Sequence, residues 1–240
     1  HKIVASSVSL DNWDRQTYYL NAASNTQGDL RKYGSISFSD ETNSKVVSNF
    51  DFTGVTADTH LIYKYKVYNQ NLVIYRASLL YLRYAEAVNR LNKPNLAFAV
   101  LKYGLTSANV INNKIVPVSE KGSAPDYMSF SGAWYAKNVG IRMRGVGNAN
   151  SDTTFFRMNK MNTLQDSVLF VEDKILDELA LETAFEGNRF HDLMRYTLRR
   201  IKTGQGTEAY LADKVAAKHT DNKEAIRLRL NTIDNWYIKK

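Results

Sequence analysis

The sequence predicts a mainly α-helical fold in which a helical hairpin and a long C-terminal helix sit among long irregular loops containing short strands. Three observations predict it. Val73, Ala77, Leu80, Tyr84, Val88 and Leu91 recur at steps of three and four, the period of one helical face. Leu164, Val168, Val171, Ile175 and Leu179 repeat that spacing farther along. The stretches 1–68 and 105–160 carry no such period and are rich in Ser, Asn, Thr, Asp and Gly.

Taken in order, residues 1–68 read as extended loops with short strands around Ser35–Phe38 and Leu61–Tyr68, and Gly28-Asp29 and Gly34 mark turns. A helix over 71–91 ends near Leu91-Asn92. Pro94 opens a second helix over 94–103, because a first-turn residue needs no backbone donor, and Gly104 stops it. Tyr81, Tyr84, Ala85 and Val88, followed by Ala97, Leu101 and Gly104, fit the large and small positions of a tetratricopeptide unit, in which small residues let two helices approach closely. One such unit cannot bury its own face, so the hairpin at about 70–104 must dock on other structure. Val139, Ile141 and Met143 alternate with Gly140, Arg142 and Arg144 as in a short strand. Thr163 and Asp166 stand at capping-box spacing before the long helix. Gly187 interrupts that run, and a second helix turns off at Arg189 to about Leu198, so these helices occupy about 163–201. A short helix near Glu208–Lys218 follows in a weakly patterned tail.

The length of 240 residues suits one large domain or two small ones, and a hydrophobic fraction of 44% is enough to bury a core; the chain is read as a single domain over 1–240. The net charge of +8 is uneven: residues 189–240 hold 12 Lys/Arg against 6 Asp/Glu, with Arg189, Arg195, Arg199, Arg200 and Lys202 clustered. No nucleic-acid motif accompanies them, and cations suit a helix C-terminus, so the reading is no nucleic acid. The absence of Cys excludes disulfides and thiol nucleophiles in this chain. His1, His60, His191 and His219 have no metal-ligand spacing, and no nucleophile-elbow, P-loop or dinucleotide motif occurs, so no catalytic residue, metal or cofactor is expected. Glu182 and Glu186 lie four apart, as a carboxylate pair on one helical face would. Arg189 follows Glu186 by three, which favours an ion pair over glycosidase chemistry.

Glu178, Glu182, Phe185, Glu186, Gly187, Arg189, Phe190, Asp192, Leu193 and Arg195 together resemble the signature near the C-terminus of SusD/RagB-like proteins. Tyr81-Leu-Arg-Tyr-Ala-Glu-Ala-Val-Asn-Arg-Leu91, preceded by Tyr75-Arg-Ala-Ser-Leu-Leu, resembles a second helix of the same family. The resemblance implies a SusD-like α fold and a surface-exposed outer-membrane lipoprotein of Bacteroidetes-type bacteria. It implies a binding protein, not an enzyme. Such a protein captures an oligosaccharide, or in some members a peptide, and passes it to a SusC-like TonB-dependent transporter. Family members are longer, so the chain, which begins at His1, reads as the C-terminal portion, with the lipid anchor outside it.

Within the signature, Glu182, Phe185, Glu186, Gly187, Arg189 and Asp192 are expected to be structural. Gly187 permits the bend, and Glu186, Arg189 and Asp192 form a charge network at three-residue spacing. Ligand contacts are expected from aromatics on irregular loops, where a sugar ring can stack: Tyr127, Phe130, Trp134 and Tyr135 first, then Trp13, Tyr18 and Tyr19. For each, core packing is the competing role. Two other classes stay open: a carbohydrate-active enzyme, which needs two carboxylates facing across a cleft, and a tetratricopeptide-type module for a protein partner.

Overall fold

The structure, a computed structural model, describes residues 5–14, 29–38, 60–62, 75–105, 110, 112–121, 141 and 161–237. Among the described residues the architecture is helical, with one two-stranded sheet. The region read as loops and strands holds two short helices, α1 (Ser7–Asp14) and α2 (Leu30–Ser35). The Asp29 carboxylate caps α2 by accepting from the Arg31 amide at 2.9 Å, and Gly34 lies inside the helix rather than in a turn. A helix this short carries little periodic signal, so the sequence pattern missed it. Strands β1 (Ile36–Phe38) and β2 (His60–Ile62) pair antiparallel with Ile36 opposite Ile62. The second strand begins where a strand was expected, while 63–68 and the 139–143 alternation, Ile141 apart, lie outside the described residues.

Helix α3 (Ala77–Arg90) and α4 (Pro94–Tyr103) form the hairpin. Asn92 takes a left-handed φ of 60° in the tight connection, and Gly104 ends α4 at φ 84°. The α4 N-terminus is closed by Glu120, from the short helix α5 (Val118–Lys121), whose carboxylate accepts from the Leu96 amide at 2.8 Å. Ala85 and Ala97 are fully buried between the helices, as close approach requires. The face of α3 that packs differs from the one read from spacing. Leu80 and Leu91 are exposed at 62% and 67%, while Ser78, Leu79, Leu82, Ala85, Glu86, Val88 and Asn89 are buried. The first pattern admitted any apolar residue. Val88 and Tyr84 of the expected stripe do face the core, but the packed face also carries Glu86 and Asn89, whose partners wait across the interface, so apolar counting rotated the stripe away from its true centre.

The long helix α6 (Leu164–Glu182) begins at the expected capping box: Thr163 Oγ1 accepts from the Asp166 amide at 3.0 Å, and Asp166 accepts from the Thr163 amide at 3.2 Å. Its Val171, Ile175, Leu176 and Leu179 lie in one core with Leu82, Ala97 and Leu101 of the hairpin. Asn89 Nδ2 donates to the Val168 carbonyl at 2.8 Å and fixes the register between α3 and α6. Helix α7 (Asn188–Lys202) runs longer than read, and α8 (Ala209–Ala216) matches the short tail helix. Helix α9 (Lys223–Leu230) and a 3-10 turn over Ile233–Trp236 were not foreseen. They are held by Leu230 and Trp236 entering the core and by Trp236 Nε1 donating to the Leu230 carbonyl at 2.6 Å. No described helix is long and apolar enough to cross a membrane.

The two faces of α3 make opposite predictions. Leu82→Ala, at a fully buried site, lowers unfolding free energy by roughly 2–5 kcal/mol. Leu80→Ala, one helical step away and exposed, changes it by no more than about 0.5 kcal/mol. Urea unfolding of the two variants beside the wild type checks both.

Candidate functional site

The chain reverses direction between α6 and α7 through a turn built by the signature residues. Thr183 ends α6, its hydroxyl donating to the Leu179 carbonyl at 2.7 Å. Phe185 takes φ 63° and Gly187 φ 80°. A Cβ at Gly187 would meet nothing within 4 Å, so it is the left-handed backbone, not a close approach, that suits glycine there. The Phe185 ring packs on Trp13 of α1, with centroids 5.9 Å apart.

This turn separates charges that the sequence spacing had joined. Glu182 is the last residue of α6 and accepts from Arg31 Nη1 at 2.7 Å. The same guanidinium holds Glu178 at 2.7 Å and Asp29 of the α2 cap. Glu186 pairs instead with Arg76 at the start of α3, accepting from its Nε at 3.0 Å. Arg189 donates to the Leu176 carbonyl at 2.6 Å and comes no nearer than 4.0 Å to Asp177. The expected Glu186–Arg189–Asp192 network is therefore replaced. Three-residue spacing pairs charges only along one continuous helix, and left-handed Gly187 breaks the helix between Glu186 and Arg189, while Asp192 turns to Arg83 of α3. The Glu182–Glu186 pair fails as a facing carboxylate dyad because the helix ends at Glu182 and left-handed Phe185 lies between them, so each is neutralised by a different arginine.

Asp192 and Glu86 form the centre of a second network. Asp192 accepts from Arg83 of α3 at 2.8 Å and from Arg195 at 3.0 Å. Glu86, 3% exposed, pairs with Arg83, Arg90 and Arg195. Burial works against the Arg195 charge, and its hydrogen bonds to Glu86 and Asp192 outweigh it, so its pKa rises. A third knot joins α6, α7 and α8. Arg200 Nε donates to Glu172 at 2.6 Å, its guanidinium lies 4.0 Å from the Tyr210 ring centroid, and the Tyr210 hydroxyl reaches Asp173. Arg195, Arg199 and Arg200 of the basic cluster are thus turned onto carboxylates of the same chain. Sequence reading did not foresee Arg31, Arg83 and Glu86 as the partners. The available signal was a charged residue set among the small and apolar residues of α3.

Beside the turn lies a cavity of about 590 Å3 between α1, the C-terminal half of α6, the start of α7 and α8. Trp13, Phe185, Phe190 and Leu193 give it apolar walls, and Arg189 and Lys218 place cationic groups on it. Of the aromatic ligand candidates, only Trp13 falls within the described residues. It sits in a helix, 1% exposed and packed on Phe185, so it presents no open stacking face of the kind expected from a surface loop. Tyr18, Tyr19, Tyr127, Phe130, Trp134 and Tyr135 lie outside the described residues. Among the described residues no group of His, Asp or Glu is arranged to hold a metal ion.

The family model of the SusD family matches residues 8–239. The chain belongs to the SusD family. No curated protein and no solved structure matches it. The mainly helical architecture is the SusD-like α fold expected from the signature. The SusD family is one of nutrient-binding, non-enzymatic proteins associated with the outer-membrane surface, and its members generally work with SusC-like transporters. In this SusD-family chain Arg31, Arg76 and Arg83 meet the signature carboxylates Glu178, Glu182, Glu186 and Asp192 and join α2, α3, α6 and α7 to one another.

Two consequences are measurable. Glu86→Ala leaves three guanidiniums around an empty carboxylate position. It lowers unfolding free energy by about 3 kcal/mol, the low end of the range for a broken buried pair, because those arginines keep contact with water. Chemical denaturation reads it directly. Tyr196 is fully buried and its hydroxyl has no hydrogen-bond partner among the described residues. Burial, with Glu86 nearby, raises its pKa well above the ordinary value. A raised folded-state pKa gives stability that is intact below the unfolded value of about 10 and is lost as pH rises from there towards the folded value. Tyr196→Phe therefore keeps neutral-pH stability within about 0.5 kcal/mol or improves it, and it flattens the alkaline fall. Melting temperatures from about pH 8 to pH 11 test the sign.

Proposed function

We propose that this chain is part of a surface nutrient-binding subunit that captures an oligosaccharide and passes it to a SusC-like TonB-dependent transporter. It is held at the outer membrane of a Bacteroidetes-type cell by a lipid anchor outside residues 1–240. The observation that carries the reading is the match to the SusD family over residues 8–239. The geometry adds support: Glu182, Glu186 and Asp192 of the signature are neutralised by Arg31, Arg76 and Arg83 of the same chain, which suits a scaffold rather than a reaction centre. We assign the residues 1–240 to a single domain, the C-terminal portion of a longer protein. Ligand contacts fall to the aromatics Tyr127, Phe130, Trp134 and Tyr135, with Tyr18 and Tyr19 second, because a sugar ring stacks on an aromatic face.

A protein-binding role for the hairpin is the second reading. Leu80 on α3 and Leu91 just past its end lie about three helical turns apart and are both exposed, a face that a partner would cover.

A glycan and peptide array probed with the whole protein, wild type and Trp134→Ala, separates these readings. Binding to one oligosaccharide class, lost in the variant, is the expected result. Binding to peptides alone changes the ligand class. Binding to neither overturns nutrient capture and leaves the hairpin face as the working surface.

A further inference from the structure

We propose that the cavity between α1, α6, α7 and α8 is a binding site for a small organic carboxylate, whose anionic head meets Arg189, Lys218 and Trp13 Nε1 and whose body lies against Phe185 and Phe190. The proposal deepens the nutrient-binding reading by naming an acidic ligand, and it rests on that reading.

The lining is unbalanced in charge. Among its described residues, Arg189, Lys214 and Lys218 face a single carboxylate, Asp177, which stands 4.0 Å from Arg189. Lys214 leans on the Tyr210 ring, its Nζ 5.0 Å from the centroid. Lys218 forms no salt bridge with any described residue, although burial and the neighbouring Arg189 both lower its pKa, the mark of a cation short of a counter-charge. Arg189 is in the same condition: burial lowers its pKa, and Asp177 only partly opposes this. Everywhere else in the described core, buried guanidiniums sit directly on carboxylates, as Arg31 and Arg200 do at 2.7 and 2.6 Å. The exception coincides with the cavity.

Donors are unbalanced as well. Trp13 is 1% exposed, and its Nε1–H has no acceptor among the described residues. An indole N–H usually finds a partner when buried. Arg189 directs one N–H to the Leu176 carbonyl and keeps further donors on its planar fork. A carboxylate supplies acceptors for all three groups and the charge that Lys218 lacks, in charge-assisted hydrogen bonds stronger than neutral ones. A neutral sugar supplies acceptors but no charge. The volume of about 590 Å3 falls in the range of small-molecule sites, and the aromatic walls suit a ring or side chain attached to the carboxylate.

The test is calorimetric titration of the chain with two carboxylates beside their uncharged counterparts: glucuronic acid against glucose, and N-acetylphenylalanine against its amide. The proteins are wild type, Lys218→Ala, Lys218→Gln and Trp13→Phe, each checked for an unchanged melting transition. At least one carboxylate binds, its uncharged counterpart binds about tenfold more weakly or not at all, and both Lys218 variants weaken the carboxylate by about tenfold or more. Binding of glucuronic acid alone assigns an acidic sugar, and binding of N-acetylphenylalanine alone assigns a peptide C-terminus. Equal binding of the charged and uncharged forms, no binding of either, or wild-type affinity in the Lys218 variants overturns the site. Because the array uses Trp134→Ala and neutral oligosaccharides as well, a chain that binds them while failing this titration loses the anion site and keeps the nutrient-binding role.

Discussion

A carboxylate taken out of water must be met by charge or hydrogen bonds, because an unpaired buried ion costs several kcal/mol. Glu86 imposes that demand on this protein. It lies 3% exposed on the packed face of α3, and its oxygens are met by Arg83 and Arg90 from its own helix and Arg195 from α7. Arg83 and Arg195 are shared with Asp192, so the two carboxylates and their arginines join the hairpin to α7 in one network. Once that contact is made, Tyr196 lies in the core with Arg195 and Arg90 against its ring, 4.8 and 5.6 Å from the centroid. The hairpin, which cannot bury its own face, finds through this network and the α6 packing the surface it needs.

The same logic recurs around the turn after α6. Arg31 holds Asp29, Glu178 and Glu182 together, so that the short α2 is fastened to the long helix by charge, where six residues of helix offer little packing. Arg76 meets Glu186 and ties the start of α3 to the turn. These pairs are partly or fully buried and geometrically specific, and buried pairs of this kind set which surfaces meet more than they add net stability. The apolar contribution comes from the shared core of Leu82, Leu101, Ile175, Leu179 and Leu193.

The cavity stands apart from this pattern. It borders the turn, uses Phe185 and Arg189 of the signature and borrows Trp13 from α1 and Lys218 from beyond α8. A region that sets its buried arginines on carboxylates elsewhere leaves Lys218 without a salt bridge, and the Trp13 indole without an acceptor, among the described residues there. That contrast, more than the cavity's size, marks it as a place for a ligand.

Much of the fold was legible in the sequence. Pro94 and Gly104 bounded α4, Thr163 and Asp166 marked the start of α6, and Gly187 marked the break before α7, because caps and left-handed residues are local constraints that need no knowledge of the rest of the chain. Ala85 and Ala97 announced the close hairpin contact, and the signature residues pointed to the family. What faces what was decided only by tertiary structure. Leu80 and Leu91 fitted an apolar stripe and are exposed, while Glu86 and Asn89 are buried because an arginine cluster and the Val168 carbonyl lie opposite them. Glu186 and Arg189 fitted an ion pair and turn to different partners once Phe185 and Gly187 bend the chain. Helix α9 had too weak a pattern to be read and is fixed by Leu230 in the core. Local sequence sets backbone conformation. The partner of a charged side chain is set by segments distant in sequence, such as Arg83 and Asp192, and only the folded chain brings them within 2.8 Å.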